Sequence, residues 1–216
     1  MKDYKYIAFD LDGTIINTEE GVTQSIGRML LSYGVENPDP ALLRACIGPP
    51  LQESLGKFFG ISEKDIPAAI DEFREYYNPI SHIKCRPYDG IEETLQGLKA
   101  MGKKLTVATS KPVDPARRIL ERFGLDKYFD HIEGTPMGQN DASKADVLRA
   151  AIKGLGCEDT GEMILIGDTK FDIIGANLLG IDSMGITYGF GKKEELEGHG
   201  ATYIVNTTAE ILEFFK

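Results

Sequence analysis

Short apolar runs alternate with amphipathic stretches from about residue 85 onward, and this rhythm restricts the fold more than any other feature of the chain. Strand candidates fall at residues 104–109, 128–133, 162–166, 183–187 and 202–205. Helical patterns at 91–100, 115–122, 144–155 and 172–179 separate several of them. Gly102 and Gly124 stand where the first two of these helices are expected to stop, since glycine favours the left-handed turn that ends a helix. Strands that alternate with helices connect through right-handed crossovers, which predicts a mainly parallel sheet covered on both faces. The expected class is α/β, with a doubly wound, Rossmann-like sheet.

Residues 17–84 break the rhythm. Helical patterns at 19–33, 41–46, 51–59 and 63–77 follow one another with no convincing strand among them. Pro67 is expected in the first turn of the last of these helices, or at a kink in it. The expected division is an α/β core of residues 1–16 and 85–216, with an all-helical cap of residues 17–84 inserted after the first strand. Such an insertion suits a lid over that strand's C-terminal end; a helical layer on the sheet edge is the plainer alternative.

The chain has 216 residues, enough for one core with an insertion or for two small domains. A formal net charge of -10 leaves no surplus of lysine and arginine to neutralise a phosphate backbone, so no nucleic-acid polymer is expected as a partner. A small anionic substrate remains compatible with that charge if a few placed cations or a metal ion supply a local positive centre. No uninterrupted apolar stretch reaches the ~18 residues that suggest a membrane span. Residues 1–5 lead directly into the first strand, so no signal peptide is expected. Three scattered cysteines (Cys46, Cys85, Cys157) show no metal-ligand spacing, and their odd number fits reduced thiols in a cytoplasm. His82, His131 and His199 are equally scattered and read as structural or surface residues.

Chemistry concentrates where strands end. Tyr6–Phe9 reads as a short buried strand, and it runs into Asp10-Leu11-Asp12-Gly13-Thr14. Two carboxylates crowded beside an apolar strand repel each other unless a cation or a shared proton compensates, so this pair calls for a metal. Thr109-Ser110-Lys111-Pro112 ends a second strand, and Gly167-Asp168-Thr169-Lys170-Phe171-Asp172 ends a third. Lys144 opens a helix after the polar loop at 139–143. In a doubly wound sheet the C-terminal strand ends line one crevice, where three carboxylates, a hydroxyl and an ammonium are expected to converge.

These segments, in this order, resemble all four motifs of the haloacid dehalogenase superfamily of phosphotransferases, over nearly the whole chain. Asp10 to Thr14 is similar to the first motif, Thr109 to the second, Lys144 to the third, and Gly167-Asp168 with Asp172 to the fourth. Residues 17–84 look like that family's small helical cap. The resemblance implies that Asp10 attacks phosphorus to give an aspartyl-phosphate. Asp12 would protonate the leaving alcohol and then deprotonate water. It implies Mg2+, held by the carboxylates of Asp10 and Asp168 and by the backbone carbonyl of Asp12. Thr109, the following N–H and Lys144 would neutralise the phosphoryl oxygens. Asp172 is expected to orient Lys144 or a metal-bound water, with an N-cap of the next helix as the alternative. Without the resemblance Thr109 reads as a turn cap, Lys144 as a surface lysine at a helix start, and Lys111 as a rival for the cationic role. Ala145-Asp146 departs from the proline-containing run common in the family after the third-motif lysine.

The presence of Asp12 disfavours the dehalogenase and phosphonatase branches, and Thr14 looks more like the phosphatases than the mutases. Gly48-Pro49-Pro50-Leu51 and Thr109-Ser110-Lys111-Pro112 resemble most the phosphoglycolate phosphatase and 5′-nucleotidase-like group. The expected function is a Mg2+-dependent, cytoplasmic phosphatase acting on a small phosphorylated metabolite, either phosphoglycolate-like or a nucleoside 5′-monophosphate. Ser110, with Gly48 and Pro49 in the cap, are the candidate substrate contacts. A β-phosphoglucomutase-like mutase and a non-catalytic regulatory protein of the same fold are the alternatives. Gly189-Phe190-Gly191 is too short to read as a nucleotide-binding fingerprint.

Overall fold

Tyr6 to Phe9 are apolar at every position, as befits a strand covered on both sides. They form the first strand of the computed structural model, which describes residues 2–136 and 142–216. Strands β1 (Tyr6–Phe9) and β2 (Ile16–Asn17) precede four helices, α1 (Glu19–Ser32), α2 (Pro40–Ala45), α3 (Leu51–Phe59) and α4 (Ile66–Ile80). Then come β3 (Arg86–Pro87), α5 (Ile91–Ala100), β4 (Lys104–Pro112), α6 (Val113–Arg122) and β5 (His131–Thr135). The remainder is α7 (Lys144–Leu155), β6 (Met163–Gly167), α8 (Lys170–Leu178), β7 (Asp182–Ile186), α9 (Lys193–Gly198), β8 (Tyr203–Val205) and α10 (Thr208–Phe214). The chain divides into two compact units: Thr18–Arg86 forms one, and the residues up to Asn17 with Pro87–Lys216 form the other.

The larger unit is built on a six-stranded sheet of order β5-β4-β1-β6-β7-β8, with every neighbouring pair parallel. The doubly wound α/β expectation holds. Phe9 at the end of β1 is in register with Val107 of β4 on one side and Ile166 of β6 on the other. The strand order therefore reverses at β1, and the ends of β4, β1 and β6 frame the crevice that such a reversal opens. Ala8, Ala108, Met163 and Leu165 pack on one face against Val147, Leu148 and Ala151 of α7 and Ala176 of α8. The alternate residues Ile7, Phe9, Leu105, Val107, Ile164 and Ile166 are also fully buried, so both faces are covered.

The smaller unit is helical. Ile26, Met29 and Leu30 make a stripe on α1 that packs with Leu55 of α3 and Ala69 and Ile70 of α4. Pro67 sits in the first turn of α4, where its missing N–H costs nothing, and not at a kink.

Several boundaries differ from expectation. Residues 126–128 form a 3-10 turn, and β5 starts only at His131. Asp130 holds that entry, accepting hydrogen bonds from Leu105 N (2.9 Å) and Lys99 Nζ (2.6 Å). Strand β4 runs past Thr109 to Pro112 through a register shift against β5. Helix α8 begins at Lys170, two residues before Asp172. The six-residue α9 and seven-residue α10 were not anticipated, being too short to display a period. Of the polar loop expected before Lys144, residues 139–141 lie outside the described residues. No helix among the described residues is long and apolar enough to cross a membrane.

Leu165 is fully buried in the middle of β6. Leu165→Ala is expected to cost about 2–5 kcal/mol of stability, read as a lowered urea midpoint at an unchanged slope.

Candidate active site

The turn after β1 sets the first carboxylate. Asp10 N–H donates to Ile166 O at 2.9 Å, so the sheet register persists one residue beyond the strand and Asp10 is buried between its neighbours. Leu11 O then accepts from the N–H groups of Thr14 (3.3 Å), Ile15 (3.0 Å) and Ile16 (2.9 Å), which folds the chain back at once. Gly13 makes this turn with φ 90°, a left-handed conformation that suits glycine, and a Cβ there would collide with the Asp168 carboxylate.

Lys144 is placed by the start of α7. Ser143 Oγ accepts from Asp146 N at 3.2 Å, and Asp146 Oδ2 accepts from Ser143 N at 3.1 Å. This reciprocal capping box gives Asp146 a local structural role at the position where the sequence departs from the family pattern. The Lys144 ammonium lies 2.5 Å from Asp10 Oδ1, donates to Ala108 O at 2.9 Å, and forms an ion pair with Asp172 Oδ1 at 2.8 Å. The last contact is close but badly directed for a hydrogen bond. Asp172 is not the N-cap of α8. Thr169 occupies that position, and Asp172 reaches back so that its Oδ2 accepts from Thr169 N (3.0 Å) and Thr169 Oγ1 (2.8 Å). One of its oxygens thus secures the helix start while the other faces Lys144.

Asp168, directly beyond β6, is held by groups that were not expected at this carboxylate. Thr14 Oγ1 donates to its Oδ1 at 3.2 Å and Phe190 N–H to its Oδ2 at 2.8 Å. Tyr188 Oη in turn donates to Thr14 O at 2.9 Å. The segment Gly189-Phe190-Gly191 lies so close to Asp168 that a Cβ on Gly189 would strike its side chain and one on Gly191 its backbone carbonyl. The signal was the Gly-x-Gly spacing itself, which serves close packing on Asp168 here, one glycine on its side chain and the other on its backbone.

Asp12 has different surroundings from Asp10. Its Oδ2 is 3.1 Å from Lys111 Nζ, and its Oδ1 is buried with no hydrogen-bond partner among the described residues. Thr109 is buried at the β4 end, and its Oγ1 accepts from Lys111 N at 3.1 Å. Ser110 is exposed, and its carbonyl accepts from Thr135 Oγ1 at 3.2 Å. Gly48 (φ 101°) and Pro49 lie between α2 and α3 in the helical unit.

Oxygens of Asp10, Asp168 and Asp172 lie within 4.8 Å of one another, all buried. Three carboxylates against the one ammonium of Lys144 leave an excess of negative charge. Burial pushes Asp10 up to about 7 despite the opposing pull of Lys144, with Asp172 and Asp12 adding to the rise. Burial, then Asp172 and Asp10, push Asp168 well above the usual carboxylate range, against the N–H of Phe190 and the hydroxyl of Thr14. Burial would lower Lys144, but Asp10 and Asp172 more than reverse this and keep it above the ordinary lysine range. Hard oxygen donors, close spacing and uncompensated negative charge together fit a divalent cation.

The family profile described as haloacid dehalogenase-like hydrolase matches residues 7–186, from β1 to the end of β7. The chain belongs to this family. A 5′-nucleotidase of Pseudomonas aeruginosa is 36% identical over 202 residues, covering 93% of this chain and 90% of the relative. The tyrosine-protein kinase PtkA of Mycobacterium tuberculosis is 32% identical over 200 residues, covering 93% of this chain and 68% of the kinase. Among solved structures, "a predicted phosphatase" from Clostridium acetobutylicum superposes with a TM-score of 0.92 at 39% identity, covering 99% of this chain and 98% of that one. This haloacid dehalogenase-like hydrolase therefore lies within a group that contains proteins named as phosphatases.

In the metal-free hydrolase, folded Asp10 keeps its proton up to about pH 7, whereas the unfolded chain releases it near 3.8. Between those values the folded state binds more protons, so this contribution to stability falls as pH rises. In EDTA, the stability of the native chain minus that of Asp10→Asn should decline from about pH 4 to 7 and then level off. Urea midpoints measured across that range check it, and a difference that rises with pH contradicts it.

Proposed function

We propose that this chain is a Mg2+-dependent phosphatase of small phosphomonoesters that works through an aspartyl-phosphate on Asp10. The observation that carries the reading is the buried group of Asp10, Asp168 and Asp172 at the point of strand reversal, countered by Lys144. The carboxylates of Asp10 and Asp168 and the backbone carbonyl of Asp12 would hold the Mg2+. When bound, the ion offsets the repulsion between a carboxylate nucleophile and an anionic phosphate.

In this reading the Asp10 carboxylate forms a bond to phosphorus as the ester P–O bond breaks. Asp12 gives a proton to the departing alkoxide, then takes one from the water that cleaves the aspartyl-phosphate. Thr109, Ser110 and Lys144 bind the phosphoryl oxygens, and Asp172 fixes Lys144 through its 2.8 Å ion pair. The helical unit is the cap, and Gly48 and Pro49 are its specificity loop; both assignments rest on the sequence resemblance. The relative named 5′-nucleotidase supports nucleoside 5′-monophosphates as candidate substrates beside phosphoglycolate-like esters. The cytoplasm is the proposed compartment, from the odd and scattered cysteines.

The relative named as a tyrosine kinase supports a second reading, in which an acceptor other than water takes the phosphoryl group. A panel of phosphoglycolate, nucleoside monophosphates, sugar phosphates and phosphotyrosine, with and without Mg2+, separates the two by release of inorganic phosphate. Asp10→Asn should lower turnover about 10^3-fold or more while the fold persists. Asp168→Asn should raise the Mg2+ concentration needed for half-maximal activity and weaken Mg2+ binding measured by calorimetry. Residual turnover of Asp10→Asn above about a tenth of the native rate would remove Asp10 as nucleophile.

A further inference from the structure

A second lysine side chain is withdrawn from water at Asp12, and the mechanism above gives it no task. The Lys111 side chain is only 7% exposed, and its Nζ is 3.1 Å from Asp12 Oδ2. Taking an ammonium out of water costs several kcal/mol unless a carboxylate pairs with it, and the Asp12 carboxylate offsets part of that cost here. The fold brings Lys111 there through the register shift of β4 between Thr109 and Pro112, an irregularity of the kind that re-aims side chains near active sites. Lys111 N–H is fastened to Thr109 Oγ1 at 3.1 Å, which sets the root of the side chain. The Asp12 backbone is equally constrained, by a bridge to Ile16 and by the 2.8 Å hydrogen bond from Gly13 N to Ile16 O.

Each of the two aspartates has a lysine against it. Lys144 contacts Asp10 and Asp172, and Lys111 contacts Asp12. One Asp12 oxygen is thereby tied to a rigid partner, while Oδ1 is buried and has no hydrogen-bond partner among the described residues.

We propose that Lys111 is a positioning residue for proton transfer, holding Asp12 by Oδ2 so that Oδ1 is the atom that exchanges protons with the substrate. The inference rests on the phosphomonoesterase reading above. In the first half-reaction the Oδ1 proton passes to the ester oxygen as the P–O bond breaks and the Asp10 O–P bond forms. In the second, Oδ1 takes a proton from the water whose oxygen bonds to phosphorus as the Asp10 O–P bond breaks. Lys111 touches Asp12 and acts only through it.

The test exploits leaving groups. kcat/KM reports the reaction only as far as formation of the aspartyl-phosphate. In that half-reaction p-nitrophenolate departs without a proton, whereas an alkoxide such as that of glycerol phosphate needs one. Lys111→Met is expected to lower kcat/KM for glycerol phosphate about 100-fold and for p-nitrophenyl phosphate about threefold or less, within the range of general-acid effects. Lys111→Arg should recover most of the glycerol phosphate rate, and Lys111→Met placed on Asp12→Asn should add no further leaving-group-dependent loss. Lys111→Gln serves the same comparison if the methionine variant fails to fold. Equal losses with both esters, or a parallel rise in the inhibition constant of inorganic phosphate, would overturn the inference and assign Lys111 to phosphate binding. If the native chain hydrolyses neither ester with Mg2+ present, the phosphomonoesterase reading falls, and this inference with it.

Discussion

The Lys144 ammonium joins four parts of the larger unit at one point. It belongs to the first residue of α7, and it meets Asp10 beyond β1, the Ala108 carbonyl in β4 and Asp172 in the first turn of α8. Every one of those groups is buried, so none can fall back on water if the ammonium is withdrawn. The contact also explains why α7 and α8 must start where they do. A capping box at Ser143 and Asp146 starts one, and a second at Thr169 and Asp172 starts the other. Two ordinary helix-start devices thereby deliver an ammonium and a carboxylate to the same place.

Crowding between Asp10 and Asp12 is eased, though not removed, by separation of partners. They are one residue apart, yet Asp10 shares a cluster with Asp168 and Asp172 whereas Asp12 pairs with Lys111. Successive alternate residues of a strand share a face, but the chain turns immediately after Leu11, and the two carboxylates reach different surroundings. The charge problem at Asp10 and Asp168 remains, shown by their upward-shifted proton affinities, and it is the part of the site that a cation would relieve.

The sheet was legible because β1 and β6 are apolar at nearly every position and its strands alternate with helices of clear period; β1, α3, α5 and α7 have the very bounds the pattern predicts. Asp10, Lys144, Asp168 and Asp172 could be expected near one another because each stands at the end or start of such an element. Lys111 was seen only as a rival to Lys144, since linear spacing does not show that β4 shifts register after Thr109. Thr14 and the 189–191 segment were equally opaque. Their contacts with Asp168 span 154 and 22 residues of sequence and depend on backbone proximity that no periodicity encodes. Short elements such as α9 and the β2–β3 pair escaped because two to six residues cannot display a repeat.

The central place of β1 in the sheet also bears on how the chain is made. β1 ends at Phe9, its neighbour β4 begins at Lys104, and its other neighbour β6 begins at Met163. Translation adds about 5–20 residues each second, so the strand with the most buried position spends on the order of ten seconds with one or both edges unpaired. Four consecutive apolar residues with open hydrogen-bonding edges are a target for other nascent chains during that interval. The helices of residues 18–86 emerge within it, and their main mutual packing, α1 on α4, needs nothing beyond Ile80, which lets them fold while the strand still waits for its partners.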